Sequence, residues 1–576
     1  MGKLKTYWYN NRQGLLLQLT GFLFFFSFGV LALIFYKERT LSIDSAAFSV
    51  ELIQNKTFFL PMGRWGSAFS QLLPLLFVKS GCSLATFLKV YSLNFVILYY
   101  IGFLFISLGL KNNKAALIYL LTLCLFSRYT FYFSVSEFAQ GLALVVLFYA
   151  LYEKLIDTEN KKKYILLGVS LGLIYTLYYF HQLLIIPLTF VMAFAIIKAR
   201  AYKNTLAWLP VLFGIAWFGM KILLLPKNSY ESDKIPDWNV FKEQIGHLFE
   251  IKSFEYFRHY FVSEYLVVSI VFVICLLLLA YKRKWIQLVY IILAVSGYFV
   301  LIMITYYLGE APNMYDQYYI VLGLFIAFTL VTALREYFRF QYVVLLAVPL
   351  MVFSIFRIYK AHEIPSKRIS YLNKLCALGR QYDNKKYVIH PEDLNWGYMW
   401  TGWAVPVETM MLSSLDGGET VTFYVPTYDE KVYPVLPEGE LHAAHWQKWW
   451  MNTKILDPLL FNLPDTTNYG FLARRKRDRY YFYERIYYDY KWKANIEDDA
   501  REKNISIEEN LWRHADYMAN EELAKQEKTP LEIRIMDIKN NPEWMALIEK
   551  KAEERGITVE EMIKIDAVYS LKEEQQ

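Results

Sequence analysis

Long apolar runs separated by short polar breaks fill residues 14–359, whereas 360–576 mixes charged and apolar positions as soluble domains do. A helix needs about 17–25 apolar residues to cross the hydrocarbon core of a bilayer. Segments at 14–36, 86–110, 115–134, 138–156, 164–180, 182–198, 206–225, 263–281, 285–307, 317–334 and 342–359 meet or approach that length. The pattern predicts a polytopic α-helical membrane protein with about eleven transmembrane helices and a C-terminal α/β plus helical-repeat part. One break stands apart. Residues 40–79 are too many for a hairpin between spans, and their apolar spacing is amphipathic. Loops of such length usually carry function.

Charge orients the segments. The breaks at 111–114 (KNNK), 159–163 (ENKKK), 198–203 (KARAYK), 282–284 (KRK) and 335–339 (REYFR) are short and basic, as is the start with Lys3, Lys5 and Arg12. The alternate breaks at 40–79, 134–137, 180–182, 226–262 and 309–316 are much less so. Basic loops remain cytoplasmic, so the N-terminus is expected inside and the C-terminal part outside the plasma, or bacterial inner, membrane. The first apolar run is long and lacks a small-residue cleavage site, so it reads as an anchor rather than a cleaved leader. The net charge of +7 is modest, and the four cysteines form no disulfide framework.

Three regions follow: a membrane body at 1–360, an α/β domain at 361–484 and a tail at 485–576. The middle region reads as helix 366–379, strand 387–390, a helix after Pro406, and strand 420–425. The tail repeats itself: 485–517 and 537–569 align without a gap at an offset of 52, matching Trp492/Trp544, Ile496/Ile548, Ala500/Ala552, Ala515/Ala567 and Tyr517/Tyr569. A capping box, Ser506-x-x-Glu509 or Thr558-x-x-Glu561, starts a second helix in each copy. Two helix–turn–helix units are expected, packed on the α/β unit or open to a protein partner.

Several polar residues collect at one depth on this topology. Asp44 follows the first span, Glu137 begins the fourth, His181 sits between the fifth and sixth, Lys221 near the outer end of the seventh, and Tyr315-Asp316 before the tenth. Two acids, a cation and a histidine on different helices can form a site that no local motif reveals. Sugar transfer needs a carboxylate to take the acceptor's proton and cations to stabilise a departing phosphate. Six of the 15 tryptophans lie between 396 and 450, among them Trp396, Trp400 and Trp403, which are candidates for stacking on a sugar.

The run from Glu137 to Phe190, with the acid in the first outer loop, a second acid before the fourth span, the MYDQYYIVLGL motif and an outer C-terminal domain, resembles GT-C fold glycosyltransferases. These are the polytopic enzymes related to protein O-mannosyltransferases and the lipid A aminoarabinose transferase. The resemblance covers about 1–360 and operates at the level of pattern. It implies a polyprenyl-phosphate-linked sugar as donor and a lipid, glycan or protein acceptor on the outer face. It casts Asp44 as catalytic base with Glu137 as the second acid, and Arg64, Arg128, Lys221, His181, Tyr315 and Asp316 as the donor-phosphate environment. Some family members carry paired acids where this chain has Asp44 alone, so a divalent metal stays open, and no other cofactor is implied.

Blander roles compete. Asp44 can act as a helix cap, Glu137 as a carboxylate favoured by a helix dipole, and His181 as an interfacial residue. His442-x-x-His445 lacks a third metal ligand. The basic run 474–479 faces lipid or glycan rather than nucleic acid if the domain is outside. Two further functions compete with transfer. One is a transporter or flippase of lipid-linked precursors, which would call for inverted repeats or a pair of broken helices, and the hydropathy shows neither. The other is a non-catalytic scaffold presenting its C-terminal domain.

Overall fold

The computed structural model describes residues 2–224, 238–309, 312–381, 385–399, 401–415, 418–426, 439–444, 449–463, 469–471, 477–488, 490–526 and 530–573. Among these, eight helices are long and apolar enough to cross a bilayer, and a ninth span is possible if one bent pair counts as a unit. Helices dominate the remainder, so the chain is a polytopic helical membrane protein.

Three of the expected segments do not form full straight spans. The apolar run at 115–134 forms a helix only over Asn113–Cys124. Twelve residues rise about 18 Å, short of the roughly 30 Å hydrocarbon core. The chain continues through 125–136 without α-helix, with one 3₁₀ turn at Tyr129–Phe131, yet Leu125, Phe126, Tyr129, Thr130, Phe131 and Tyr132 are all buried. Irregular backbone at such depth is tolerated only when protein satisfies it. Here the Arg357 Nη2 donates to the Leu125 carbonyl at 2.7 Å, and the Arg39 guanidinium donates to that of Phe131. The segment at 164–180 becomes Lys162–Tyr178, and that at 263–281 becomes Leu266–Tyr281, which meets Lys252–Ser263 at 88°. A broken helix is therefore present where hydropathy showed none.

Contacts divide the chain into two compact units. The first comprises 1–391 and 400–472, the second 392–399 and 473–576. In the first unit the column at the centre is Pro312–Arg335, 83% buried over its apolar window. The loop at 40–79 is ordered: helix Asp44–Asn55, two 3₁₀ turns at Pro61–Gly63 and Trp65–Gln71, then helix Leu72–Lys79. The last span runs on through Phe340–Gly379 into the α/β part. There Lys386–Val388 pairs in parallel with Thr422–Tyr424 on one side and Gly470–Phe471 on the other. Helix Val405–Ser414, buried along its whole length, packs against that sheet and against helix Asp44–Asn55. The four cysteines are free thiols.

In the second unit the tail repeat gains a helix. Arg479–Tyr488, Tyr490–Lys503 and Ile507–Gln526 form one three-helix bundle, and Pro530–Asn540, Pro542–Arg555 and Val559–Glu573 form another. The offset of 52 superposes their cores, placing Ile486 on Ile538, Ile496 on Ile548, Leu511 on Ile563 and Ala515 on Ala567, all buried. One polar contact is kept with its acidic and basic partners exchanged. Lys551 meets Asp566 at 2.7 Å in the second bundle, and the equivalent positions in the first are Asp499 and His514, 3.4 Å apart.

Candidate functional site

The site is built on helix Asp44–Asn55, whose first residue is Asp44. The preceding Ile43 has φ 49° and ψ −113°, a conformation that a β-branched residue adopts only when its surroundings impose it. Glu408, from the buried helix Val405–Ser414, supplies the constraint: its Oε1 accepts the Ile43 N–H at 2.7 Å. Arg368 holds that carboxylate through Nε at 2.9 Å and Nη2 at 2.5 Å, and donates Nη1 to the Thr401 carbonyl at 3.0 Å. Both charged side chains are essentially closed to water, at 1% and 0%. A bidentate buried pair of this kind fixes geometry well. The α/β part thus sets the start of the helix that presents Asp44.

Asp44 itself takes no hydrogen bond from any described residue. Its side chain is open to water, although many protein atoms surround it at longer range. Partial exclusion of bulk water, then the charges of Glu137 and Glu408, push its carboxyl up to about 6 against the pull of Arg64. A carboxylate without a partner and with such a basicity can accept a proton near neutral pH.

Arg64 leaves the turn Pro61–Gly63 and reaches Glu137 at 3.5 Å, with 15% and 13% of the two side chains exposed. Glu137 opens helix Glu137–Asp157, capped by the Ser136 hydroxyl. Gly66 lets the loop approach closely, since a Cβ there would lie 2.4 Å from the Phe180 ring. Gly141 does the same for the helix, because its Cβ would meet Leu184 at 2.2 Å. These two glycines clamp the turn that carries His181 between the loop and the helix.

His181 accepts the Leu183 N–H at Nδ1, 3.2 Å away, and its ring lies 4.8 Å from that of Phe138. Enclosure by protein, followed by the fields of Arg64 and Lys221, holds its imidazole down at about 3. The ring is therefore neutral and, with Nδ1 occupied as acceptor, carries its proton on Nε2. Lys221, near the end of helix Thr205–Leu224, sits over the Tyr178 ring at 4.6 Å. Beside it an aromatic wall joins Trp65 to Tyr179 at 4.9 Å, Tyr175 to Trp217 at 5.2 Å and Tyr178 to Trp217 at 5.3 Å.

Asp44, Arg64, Glu137, His181 and Lys221 are thus linked by geometry and by mutual electrostatics. Arg128, Tyr315 and Asp316 belong to a different network. Asp316, fully buried, accepts from Arg128 Nε at 3.1 Å, from the Tyr129 amide at 3.4 Å and from the Tyr265 hydroxyl at 3.1 Å. Arg128 also meets Glu264 at 3.0 Å, and Tyr315 donates to the Tyr306 carbonyl at 3.3 Å. With two carboxylates on it, Arg128 is neutralised where it stands. This network ties the irregular stretch 125–136 to the bend before Leu266 and to the central helix, a structural task rather than the binding of a phosphate.

Of the tryptophans suggested for sugar stacking, Trp403 belongs to the first unit and Trp396 to the second, while Trp400 lies outside the described residues. Residues 474–476 of the basic run and His445 lie outside them too. Among the described residues no group of three His, Cys, Asp or Glu could hold a metal ion. Sequence reasoning missed Ile43, Glu408, Arg368 and the aromatic wall. The wall's only signal was the spacing of Tyr175, Tyr178 and Tyr179 on one helical turn before His181. The chain matches no family model, no curated protein and no solved structure.

Proposed function

We propose that the protein is an inverting membrane glycosyltransferase of the GT-C type, moving a sugar from a polyprenyl-phosphate carrier to a lipid, glycan or protein hydroxyl at the outer membrane face. The observation that carries this reading is Asp44. It is an unpartnered carboxylate with a basicity near 6, in the field of Arg64, which together with Lys221 also acts on His181. The Asp44 carboxylate takes the proton of the acceptor hydroxyl as the acceptor oxygen attacks the anomeric carbon. The bond from that carbon to the phosphate oxygen breaks, and the polyprenyl phosphate leaves with the electron pair. Arg64 and Lys221 meet the developing negative charge. Glu137 orients Arg64 rather than taking a proton itself, and the neutral His181 offers Nε2–H as a donor. The clustered rings of Trp65, Tyr175 and Tyr179, tilted against one another, offer the sugar an apolar wall.

A mixture of polyprenyl-phosphate sugars incubated with detergent-purified protein and membrane lipid should yield free polyprenyl phosphate and glycosylated acceptor. Donor that binds but is never consumed contradicts the proposal. The 88° break at Glu264–Tyr265 favours a second reading, transport of a lipid-linked precursor, since broken helices recur in transporters. Movement of intact donor across liposomes, without transfer, would establish it.

A further inference from the structure

A second polar centre uses none of the side chains named in the chemistry above. Arg39, at the end of helix Tyr36–Thr40, is 2% exposed. Its Nε donates to the Ser92 hydroxyl at 2.8 Å, Nη2 to the Ser92 carbonyl at 3.2 Å, and Nη1 to the Phe131 carbonyl. Among the described residues no carboxylate pairs with it, and the ionisable groups whose fields reach it are the Tyr99 and Tyr132 hydroxyls. The other buried arginines differ. Arg368 pairs with Glu408, Arg128 with Asp316, and Arg357 lies in the fields of Asp316 and Glu264. A buried charge normally has a counter-charge.

Arg39 lines a cavity of about 50 Å³ shared with Thr122, Ser127, Thr130 and Ser134. The Thr122 and Thr130 hydroxyls are buried and have no hydrogen-bond partner. The Ser127 and Ser134 hydroxyls donate elsewhere, to the carbonyls of Leu123 and Arg39. The rest of the wall is mostly apolar, so the free hydrogen-bonding capacity at the cavity is these two enclosed hydroxyls, the Tyr99 hydroxyl, and the guanidinium N–H groups that Ser92 and Phe131 leave unused. Hydroxyls can turn their hydrogens toward any acceptor, so every group there can donate at once. Room for several water-sized particles, one uncompensated positive charge and a few unpartnered donors in an otherwise apolar lining together describe a receptor for an anion.

We propose that this cavity is a structural site for a small monovalent anion, a halide in ordinary buffers, bound by Arg39, Thr122 and Thr130. One negative charge balances Arg39 and satisfies both orphan hydroxyls. The anion thereby pins the irregular stretch 125–136 to the short helix Tyr36–Thr40 through the guanidinium that also holds the Phe131 carbonyl. The site shares no side chain with the transfer machinery, and neither threonine belongs to it.

The test is thermal unfolding of the full chain in detergent, with sodium chloride, sodium bromide or sodium gluconate at one ionic strength and pH. Both halides should raise the Tm along a saturable curve, while gluconate, too large for the cavity, should not. Thr130→Val keeps the side-chain shape and should shift the half-saturating halide concentration up by about tenfold, the loss of one hydrogen bond to a charged group. Arg39→Met should abolish the dependence. Bromide-soaked crystals should show an anomalous peak between Arg39 and Thr130. Equal Tm in all three salts, an unchanged half-saturation in Thr130→Val, a response to inorganic phosphate alone, or only water density in the cavity would each overturn the proposal.

Discussion

The Glu408 carboxylate accepts the backbone N–H of Ile43 at 2.7 Å, across 365 positions of the chain. Through it the α/β part of the first unit sets the residue immediately before Asp44. Two double variants separate its roles. Arg368→Met with Glu408→Gln removes the buried cation and keeps an amide oxygen for Ile43. It should retain both Tm and transfer within a few-fold. Arg368→Met with Glu408→Met should keep most of the stability but release the Ile43 turn, lowering kcat with little change in KM. Glu408→Gln alone strands Arg368 and should cost about 3–5 kcal/mol, read by denaturant unfolding.

Transfer should depend on pH through one acidic limb. Asp44 accepts a proton only when ionised, so activity should rise as pH passes through about 6. His181, held at about 3, is already neutral there and should add no second limb between pH 4 and 8. The profile of kcat/KM checks both.

Stability carries the opposite sign at the same residue. The folded Asp44 binds its proton more tightly than an unfolded aspartate does, so its contribution is present below pH 4 and lost as pH rises toward 6. His181, whose folded basicity is depressed, contributes stability above about 6.5 that is lost as pH falls. Asp44→Asn should therefore be more stable than the wild type at pH 7.5 while losing transfer, a trade-off expected where function holds a charge in a poor solvent. A lower Tm for Asp44→Asn at pH 7.5 would contradict it.

The two polar networks should respond differently to mutation. Asp316→Asn leaves Arg128 with one partner deep in the body and should destabilise by about 3–5 kcal/mol, leaving donor affinity of the folded fraction unchanged. Lys221→Ala should weaken donor-lipid binding with little effect on Tm. Titrating a polyprenyl phosphate against each variant distinguishes them.

Much of this grouping is legible in the chain itself. Alternating basic and neutral breaks put Asp44, Glu137, His181 and Lys221 at the same end of the spans, and the fold joins them. The same logic placed Asp316 with them, and the family resemblance added Arg128, because depth along the membrane normal says nothing of which helices are neighbours. The shortening of the run at 115–134 was hidden for another reason. The stretch FSRYTF contains no Gly or Pro to stop a helix. Its irregular backbone is paid for by Arg39 and Arg357, which lie far away in sequence. The Glu408–Ile43 contact has no periodic signature at all. In the tail the offset of 52 showed the repeat, yet the first helix of each bundle shares little beyond Ile486 and Ile538, so only two helices per copy stood out.

Packing around the turn at His181 offers a steric test. Gly66→Ala places a methyl 2.4 Å from the Phe180 ring and should cost about 1–3 kcal/mol through overpacking. Transfer should fall further than stability explains, because the displaced turn carries His181. Gly168→Ala, at a glycine whose Cβ meets nothing within 4 Å, is the control and should be neutral or slightly stabilising.

The most direct test of the account is the rate of sugar transfer by wild type and Asp44→Asn at pH 7.5, with saturating polyprenyl-phosphate sugar and donor binding measured on the same samples. The account predicts that the variant binds donor as well as the wild type and transfers about 10²–10⁴-fold more slowly, the contribution of a positioned general base. Transfer by the variant within twofold of the wild type would remove Asp44 from the chemistry and with it the proposed mechanism.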